Sequence, residues 1–432
     1  MSADLTINHE KQPVLRSEAI ATFAKIGFLS FGGPAGQIAL MHRILVDEKR
    51  WLSEQQFLNA LSFCMLLPGP EAMQLATYAG WRLRGVAGGL IAGLLFVLPG
   101  AAVVLALTIF YALAGNVPLV QAVFLGVKAA VVVIVIEALI KVAKRALKRM
   151  DYYVVAALAF IGIFFLALPF PLIILAAAVY GAFTGGKAVA GAVLPERIAF
   201  SRTLATLAVW LLIWWVPVLI LWLAAPDSIL TAIGLFFSKL AVVTFGGAYA
   251  VLAYMAQDVV THFGWLEAGQ MLDGLGLAET TPGPLILVTQ FVGFLAAFGE
   301  GGLALGLAGA AITLWVTFAP CFLWIFAGAP YVEWISAQPR LKGALAAITA
   351  AVVGVILNLS IWFALHVFFE RLVTERFGIF HVLVPDLSSL DFRVLLIAVV
   401  SAALLLWLHR GVITTLAVAA VLAVLFHIAG YA

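Results

Sequence analysis

Three short motifs occur twice in this chain, always at the same interval. Phe31-Gly32-Gly33 returns as Phe245-Gly246-Gly247, Trp51-Leu52 as Trp265-Leu266, and Pro68-Gly69-Pro70 as Pro282-Gly283-Pro284, each 214 residues later. The same interval pairs Phe23 with Phe237, Lys25 with Lys239, Met41 with Met255 and Gln56 with Gln270. Farther on, Pro118 pairs with Pro339 and Ala129-Ala130 with Ala350-Ala351 at 221, so a seven-residue insertion near residues 298–302 is expected in the second copy. Self-similarity at a fixed interval sets the architecture before any single element is considered. The chain is one unit written twice.

The composition of that unit fixes its solvent. Of 432 residues, 65% are hydrophobic and 10% charged, whereas a soluble domain has about a quarter charged residues. The reading is an all-α polytopic membrane protein lodged in a lipid bilayer. Its 38 Gly and 17 Pro suit membrane helices, where both are more frequent than in soluble ones. A net charge of +3 implies no nucleic-acid partner. Two cysteines, Cys64 and Cys321, exclude a disulfide scaffold and a Cys-rich metal site. The first eighteen residues are polar and lack the apolar core of a signal peptide. The expected organisation is a cytoplasmic tail at 1–18, a first repeat at 19–202, a linking helix at 203–224 and a second repeat at 225–432.

Charge orients the two copies. The first carries Arg43, Lys49, Arg50, Arg82 and Arg84, then Lys141, Lys144, Arg145, Lys148 and Arg149. Matching places in the second hold Gln257, Asp258, Glu300 and the mixture Glu370, Arg371, Glu375 and Arg376. Conversely, the turn at 115–118 has no basic residue, while its counterpart has Arg340 and Lys342. Basic loops stay cytoplasmic, so each loop of one copy faces the side opposite to its counterpart. This predicts two inverted-topology repeats, as in many secondary transporters.

Threading the spans then demands broken helices. Residues 53–80 must leave and return to one side, and a full crossing needs about 20 residues. A re-entrant hairpin broken at Pro68-Gly69-Pro70 fits, with its twin at 266–297. Crossings follow at 86–113, 119–140, 203–224, 303–328, 343–366, 390–408 and 411–431, with a tight pair at 151–167 and 172–186. The segments 19–41 and 229–255 end where they began and must bend at Gly32-Gly33 and Gly246-Gly247.

Breaks in membrane helices are tolerated where they line a cavity, and half-helix N-termini offer free N–H groups and partial positive charge to an anion. The candidate substrate contacts are therefore Gly32, Gly33, Pro34, Pro68, Gly69, Pro70, Gly246, Gly247, Pro282, Gly283 and Pro284. The alternative is that these residues only kink or pack helices. Lys25 and Lys239 lie in apolar surroundings, where a charge is costly and marks function by default. From two inverted repeats they are placed to neutralise a dianion near the midplane, or else to snorkel to the headgroups. Glu71 follows the first Pro-Gly-Pro and Glu279 precedes the second, so both are candidates for proton coupling or for capping a half-helix. Gln74, Thr281 and Gln290 surround the same breaks as hydrogen-bond donors or as helix-packing groups.

HExxH, GxSxG and P-loop patterns are absent, and the seven histidines form no ligand-spaced set. No enzyme activity, cofactor or metal is expected. The duplicated breaks argue against a scaffold subunit, and the lack of a catalytic constellation argues against a membrane-embedded enzyme.

The segments Phe31–Ile38, with Gln37 among them, Arg50-Trp51-Leu52, Leu67–Ala72 and Gly80-Trp81 closely resemble the chromate ion transporter family. In the second half, Thr244–Tyr249 and Gly274–Pro284 carry the same resemblance. Met73 stands where the family pattern has a second Gln. The resemblance spans roughly residues 15–370 and points to the long, two-domain type. It implies a bacterial inner-membrane exporter of chromate, driven by the proton motive force and conferring resistance, with sulfate as the look-alike substrate. The sequence leaves open whether two copies pair as a homodimer.

Overall fold

A computed structural model of the chain describes residues 14–31, 33–115, 117–186, 200–245, 248–336, 338–377 and 380–430. In the first half, a broken pair α1 (Arg16–Leu29) and α2 (Gly33–His42) is followed by α3 (Glu54–Cys64) and α4 (Glu71–Ala114). Then come α5 (Pro118–Ala146), α6 (Met150–Phe164) and α7 (Phe170–Thr184), before the single helix α8 (Phe200–Ala224). The second half repeats the order: α9 (Ile229–Val243), α10 (Ala248–Gln257), α11 (Ala268–Thr280) and α12 (Val288–Gly328). A short α13 (Val332–Ser336) precedes α14 (Pro339–Phe368), α15 (Phe392–Ala402) and α16 (Val412–Ile428). Among the described residues five helices are long and apolar enough to cross a membrane, and the protein is a multi-pass, all-α membrane protein.

Local chemistry explains why the breaks fall where they do. Ser30 and Thr244 end α1 and α9 by donating their hydroxyls to the carbonyls of Ile26 and Leu240, at 2.6 and 2.7 Å. α3 starts on a capping box, in which Ser53 Oγ accepts from the Gln56 N–H and Gln56 Oε1 from the Ser53 N–H. Glu267 and Gln270 repeat it at the start of α11. That is why Gln56 and Gln270 recur at the repeat interval: each satisfies an orphan N–H at a half-helix start. Phe23, Phe237, Met41, Met255, Leu52 and Leu266, also paired by the repeat, are buried core.

The halves meet around an approximate two-fold axis. The Gly69 N–H donates to the Thr244 carbonyl at 2.8 Å, and the Gly283 N–H to the Ser30 carbonyl at 2.9 Å. Donor matches donor and acceptor matches acceptor at the 214 interval, the reciprocity that two-fold symmetry requires. Packing is exchanged in the same way. α6 and α7 pack on α14 of the other half, while α15 and α16 pack on α5. α8, the odd helix between two equal sets, reaches the second half and packs on α12 and α9.

The hairpins return as threaded. Lys49, after α2, lies 2.7 Å from Glu18 at the start of α1, and the Arg84 guanidinium bonds the Val14 carbonyl. Both arms of the first half thus end on one side, the one that carries the basic residues Lys49 and Arg84.

Three expectations change. α1 begins at Arg16, inside the segment read as a solvated tail. The insertion is divided: non-helical backbone kinks α4 at Arg84-Gly85 and α12 at Gly301-Gly302, an interval of 217, so three added residues precede the kink and four follow it. Each addition is close to one helical turn of about 3.6 residues, which keeps the faces in register. Finally, the stretch after α14, read as a loop, forms a β-hairpin of β1 (Leu372–Phe377) and β2 (Phe380–Pro385).

Candidate functional site

A cavity of about 510 Å³ lies between the first half's broken elements and α5, α10, α11 and α14. Gly33, Pro34 and Ala35 line it from the first turn of α2, and Gly69 and Glu71 from the break before α4. From the second half come Tyr249 at the start of α10, Glu279 near the end of α11, and Ala346, Thr349 and Ile356 of α14. The α5 wall carries Glu137, Lys141 and Arg145 at four-residue intervals, and Lys148 follows just past the end of the helix. Arg145 and Lys148 are exposed, so the cavity reaches the surface at the basic end of α5.

Donors and charges differ by position in this cavity. Gly33 has φ +70° and open space where a Cβ would stand, so the chain turns sharply into α2 and its first-turn N–H groups start the helix beside the cavity. Those N–H groups have no intrahelical partner and carry the positive end of the helix dipole. The Lys141 ammonium lies 2.6 Å from Glu137. Arg145 and Lys148 are exposed at the mouth and form no ion pair among the described residues. Glu71 is the first residue of α4, and the Tyr249 hydroxyl donates to Glu279 Oε1. The cavity therefore combines a helix N-terminus, three cationic side chains gathered at one end and three carboxyl groups, one of which, Glu137, is paired with Lys141. Arg145 and Lys148 at its exposed end, unpaired among the described residues, attract anions.

Several residues singled out in the sequence sit elsewhere. Lys25 and Lys239 do not meet. Both are exposed, on faces of α1 and α9 turned away from the buried residues, and Lys239 Nζ lies 5.4 Å from the Tyr254 ring centroid. A long side chain on the outer face can carry its charge toward water. Gln37, Gln74 and Gln290 are fully buried and outside the cavity lining. Their amide groups donate to the carbonyls of Gly283 (2.7 Å), Pro68 (2.7 Å) and Ala101 (3.2 Å). Gly283 and Pro68 lie in the helix breaks, where a freed carbonyl has no water to turn to in the membrane, and Gln37 and Gln74 replace it; Ala101 lies inside α4. Thr281 donates to the Ala278 carbonyl within α11. The Gly69 and Gly283 N–H groups are committed to the reciprocal bonds between the halves, so they are not free donors. Pro70 caps α4, and Pro284 precedes the turn that leads into α12. The Pro282 carbonyl abuts Gly100 so closely that a Cβ there would come within 2.2 Å of it. Gly32, Gly246 and Gly247 lie outside the described residues.

The sequence reading missed the α5 face. Glu137, Lys141 and Arg145, four residues apart, share one side of α5, and Lys148 lies just past its end. That signal was present, but the cluster entered the argument only as a topology marker.

The description chromate transporter belongs to a family model that matches residues 17–182 and 231–425. The chain belongs to the chromate transporter family. Those matched segments correspond to the two structurally repeated halves, with α8 between them. The chain is 33% identical to a chromate transport protein of Pseudomonas aeruginosa, over 82% of either chain. It is 32% identical to one of Cupriavidus metallidurans, over 78% of this chain and 80% of that one. An uncharacterized transporter of Methanocaldococcus jannaschii is 28% identical over 80% of this chain and 83% of its own. No solved structure matches.

Proposed function

We propose that this protein exports chromate from the cytoplasm across the bacterial inner membrane, uses the proton motive force to do so, and thereby confers chromate resistance. The observation that carries the proposal is the cavity. It is open on the basic side, walled by Lys141, Arg145 and Lys148, and closed at depth by the N-terminus of α2. A dianion leaving water loses a large hydration energy, which only fixed dipoles and paired charges replace. Cations at the mouth gather the ion, and neutral N–H donors at Gly33, Ala35 and Gly36 hold it weakly enough to release it. Glu71 and Glu279 share the cavity with the anion, and we assign proton coupling to them. N–H donors read charge and shape, which sulfate and chromate share, so sulfate competes at this site.

Flux of radiolabelled chromate and sulfate into inside-out proteoliposomes, with and without an imposed pH gradient, tests the reading. Chromate uptake that rises with the gradient and is inhibited by sulfate is expected. Flux of neither anion under any gradient would overturn it.

A further inference from the structure

The two halves share one pattern but hold different conformations. α11 packs against α5, α14 and α16, and α10 packs against α14. Their counterparts α3 and α2 make no comparable packing on α14, α7 or α5 among the described residues; α3 rests on α4 and α13. The contrast is visible position by position. Gly269, Asp273 and Gly276 lie on the side of α11 that meets α5. A methyl on Gly276 would fall within 2.1 Å of Val127, and one on Gly269 within 3.1 Å of Lys128 Nζ. At the 214 interval these three correspond to Gln55, Asn59 and Ser62. Gln55 and Ser62 are exposed and Asn59 is half-buried. Across the gap, Lys128 corresponds at the 221 interval to Thr349, which lines the cavity. The space open between α3 and α14 is therefore the one that is shut between α11 and α5.

A charged cluster holds the shut side. Lys128 Nζ lies 3.3 Å from Asp273 Oδ2, and the Tyr111 hydroxyl donates to the same oxygen at 2.8 Å. The Asp273 side chain is 3% exposed, and its Oδ1 is buried with no hydrogen-bond partner. The Tyr111 ring packs on Phe124 and Phe291. A buried ion pair adds little net stability but selects which surfaces meet. With one oxygen unpaired, this carboxylate regains water when the contact opens. Such a contact is suited to two states.

We propose that Lys128, Asp273 and Tyr111 form the outward gate, and that transport exchanges the conformations of the two halves. α11 leaves α5 as α3 closes on α14 and brings Asn59 to Thr349. The inference rests on reading the protein as a transporter, and it adds a reason for export. In the outward-facing state the α5 wall is replaced by its counterpart on α14, where Glu137, Lys141 and Arg145 become Asn358, Trp362 and His366, and Lys148, just past the end of α5, becomes Phe369, just past the end of α14. The inner mouth is cationic and gathers the dianion; the outer mouth lacks those lysines and arginine and releases it.

Single cysteines at Asn358 and Thr349, in the full chain with Cys64→Ala and Cys321→Ala, test the gate with a membrane-impermeant maleimide on oriented vesicles. Asp273→Asn is expected to raise outside labelling at position 358 by about threefold or more and to lower inside labelling at 349, as a population shift requires. The reversed pair Lys128→Asp with Asp273→Lys is expected to restore both. Tyr111→Phe, which keeps the ring packing, is expected to move both in the same directions by less. Unchanged labelling at both positions in Asp273→Asn and Tyr111→Phe would overturn the gate, and so would a rise at both together, the mark of loosened structure. Labelling needs no substrate, so its outcome is separate from any failure of the flux assay.

Discussion

At the scale of single residues, the cavity divides the work between charge and backbone. Arg145 stands exposed at the mouth without an ion-pair partner among the described residues, so its contribution is long-range attraction in water. Such attraction falls off with a Debye length of about 8 Å at physiological salt. Arg145→Gln is expected to raise the chromate KM by about threefold to tenfold at low ionic strength. The effect should shrink as salt is added; a salt-independent rise would mean direct contact instead. Gly33 acts through conformation. Its φ of +70° is open to glycine, and no neighbour lies within 4 Å of a built Cβ. Gly33→Ala thus adds backbone strain of about 1–2 kcal/mol without a clash. A weakened chromate affinity with a small loss of melting temperature in detergent is the expected pattern. Lys25 shows the opposite lesson. The rule that an intramembrane charge marks function singled it out, but which face of α1 it occupies is decided by the packing of α4, and a window of sequence does not contain that.

At the scale of elements, the breaks were the most legible part of the fold. Pro-Gly-Pro, the capping glutamines and the length limit on a hairpin each act within a few residues, so the sequence alone predicted the breaks near 68–70 and 282–284. What the glutamines do was not legible. Gln37 and Gln74 read equally well as ligands for an oxyanion, and only the assembled halves show that they serve the carbonyls of Gly283 and Pro68. The α5 wall was hidden for a related reason: Glu137, Lys141 and Arg145 share a face, but the elements facing it across the cavity include parts of the other half of the chain. The support role has a direct test. Gln74→Leu keeps the volume and strips the donor from a buried carbonyl, which costs about 1–3 kcal/mol. The melting temperature in detergent should fall by several degrees. If stability holds and only chromate affinity drops, Gln74 belongs to the substrate site after all.

At the scale of the whole molecule, duplication brings a carboxyl group from the broken elements of each half into a shared cavity. Glu71 enters from the break before α4 and Glu279 from the end of α11, and the Tyr249 hydroxyl of α10 holds the second. The inverted arrangement itself is checked by thiol tags: Lys49→Cys, Arg84→Cys and Arg145→Cys should label from the cytoplasm, and Gln257→Cys, Gly299→Cys and Glu375→Cys from the other face. Coupling is a property of this arrangement and of no residue alone. A proton can drive an anion outward only if its carrier faces both sides in turn, and a cavity contributed to by both halves changes sides when the halves exchange conformations. Glutamine matches glutamate in shape but cannot titrate. Glu71→Gln or Glu279→Gln is therefore expected to abolish the part of chromate flux that responds to a pH gradient. Chromate binding, measured by ligand-dependent melting, should stay within about threefold of the parent, a change below 1 kcal/mol. Equal losses of binding and flux would place the carboxyl group in the anion site or the framework, and unchanged gradient-driven flux in both variants would move the proton path out of this cavity.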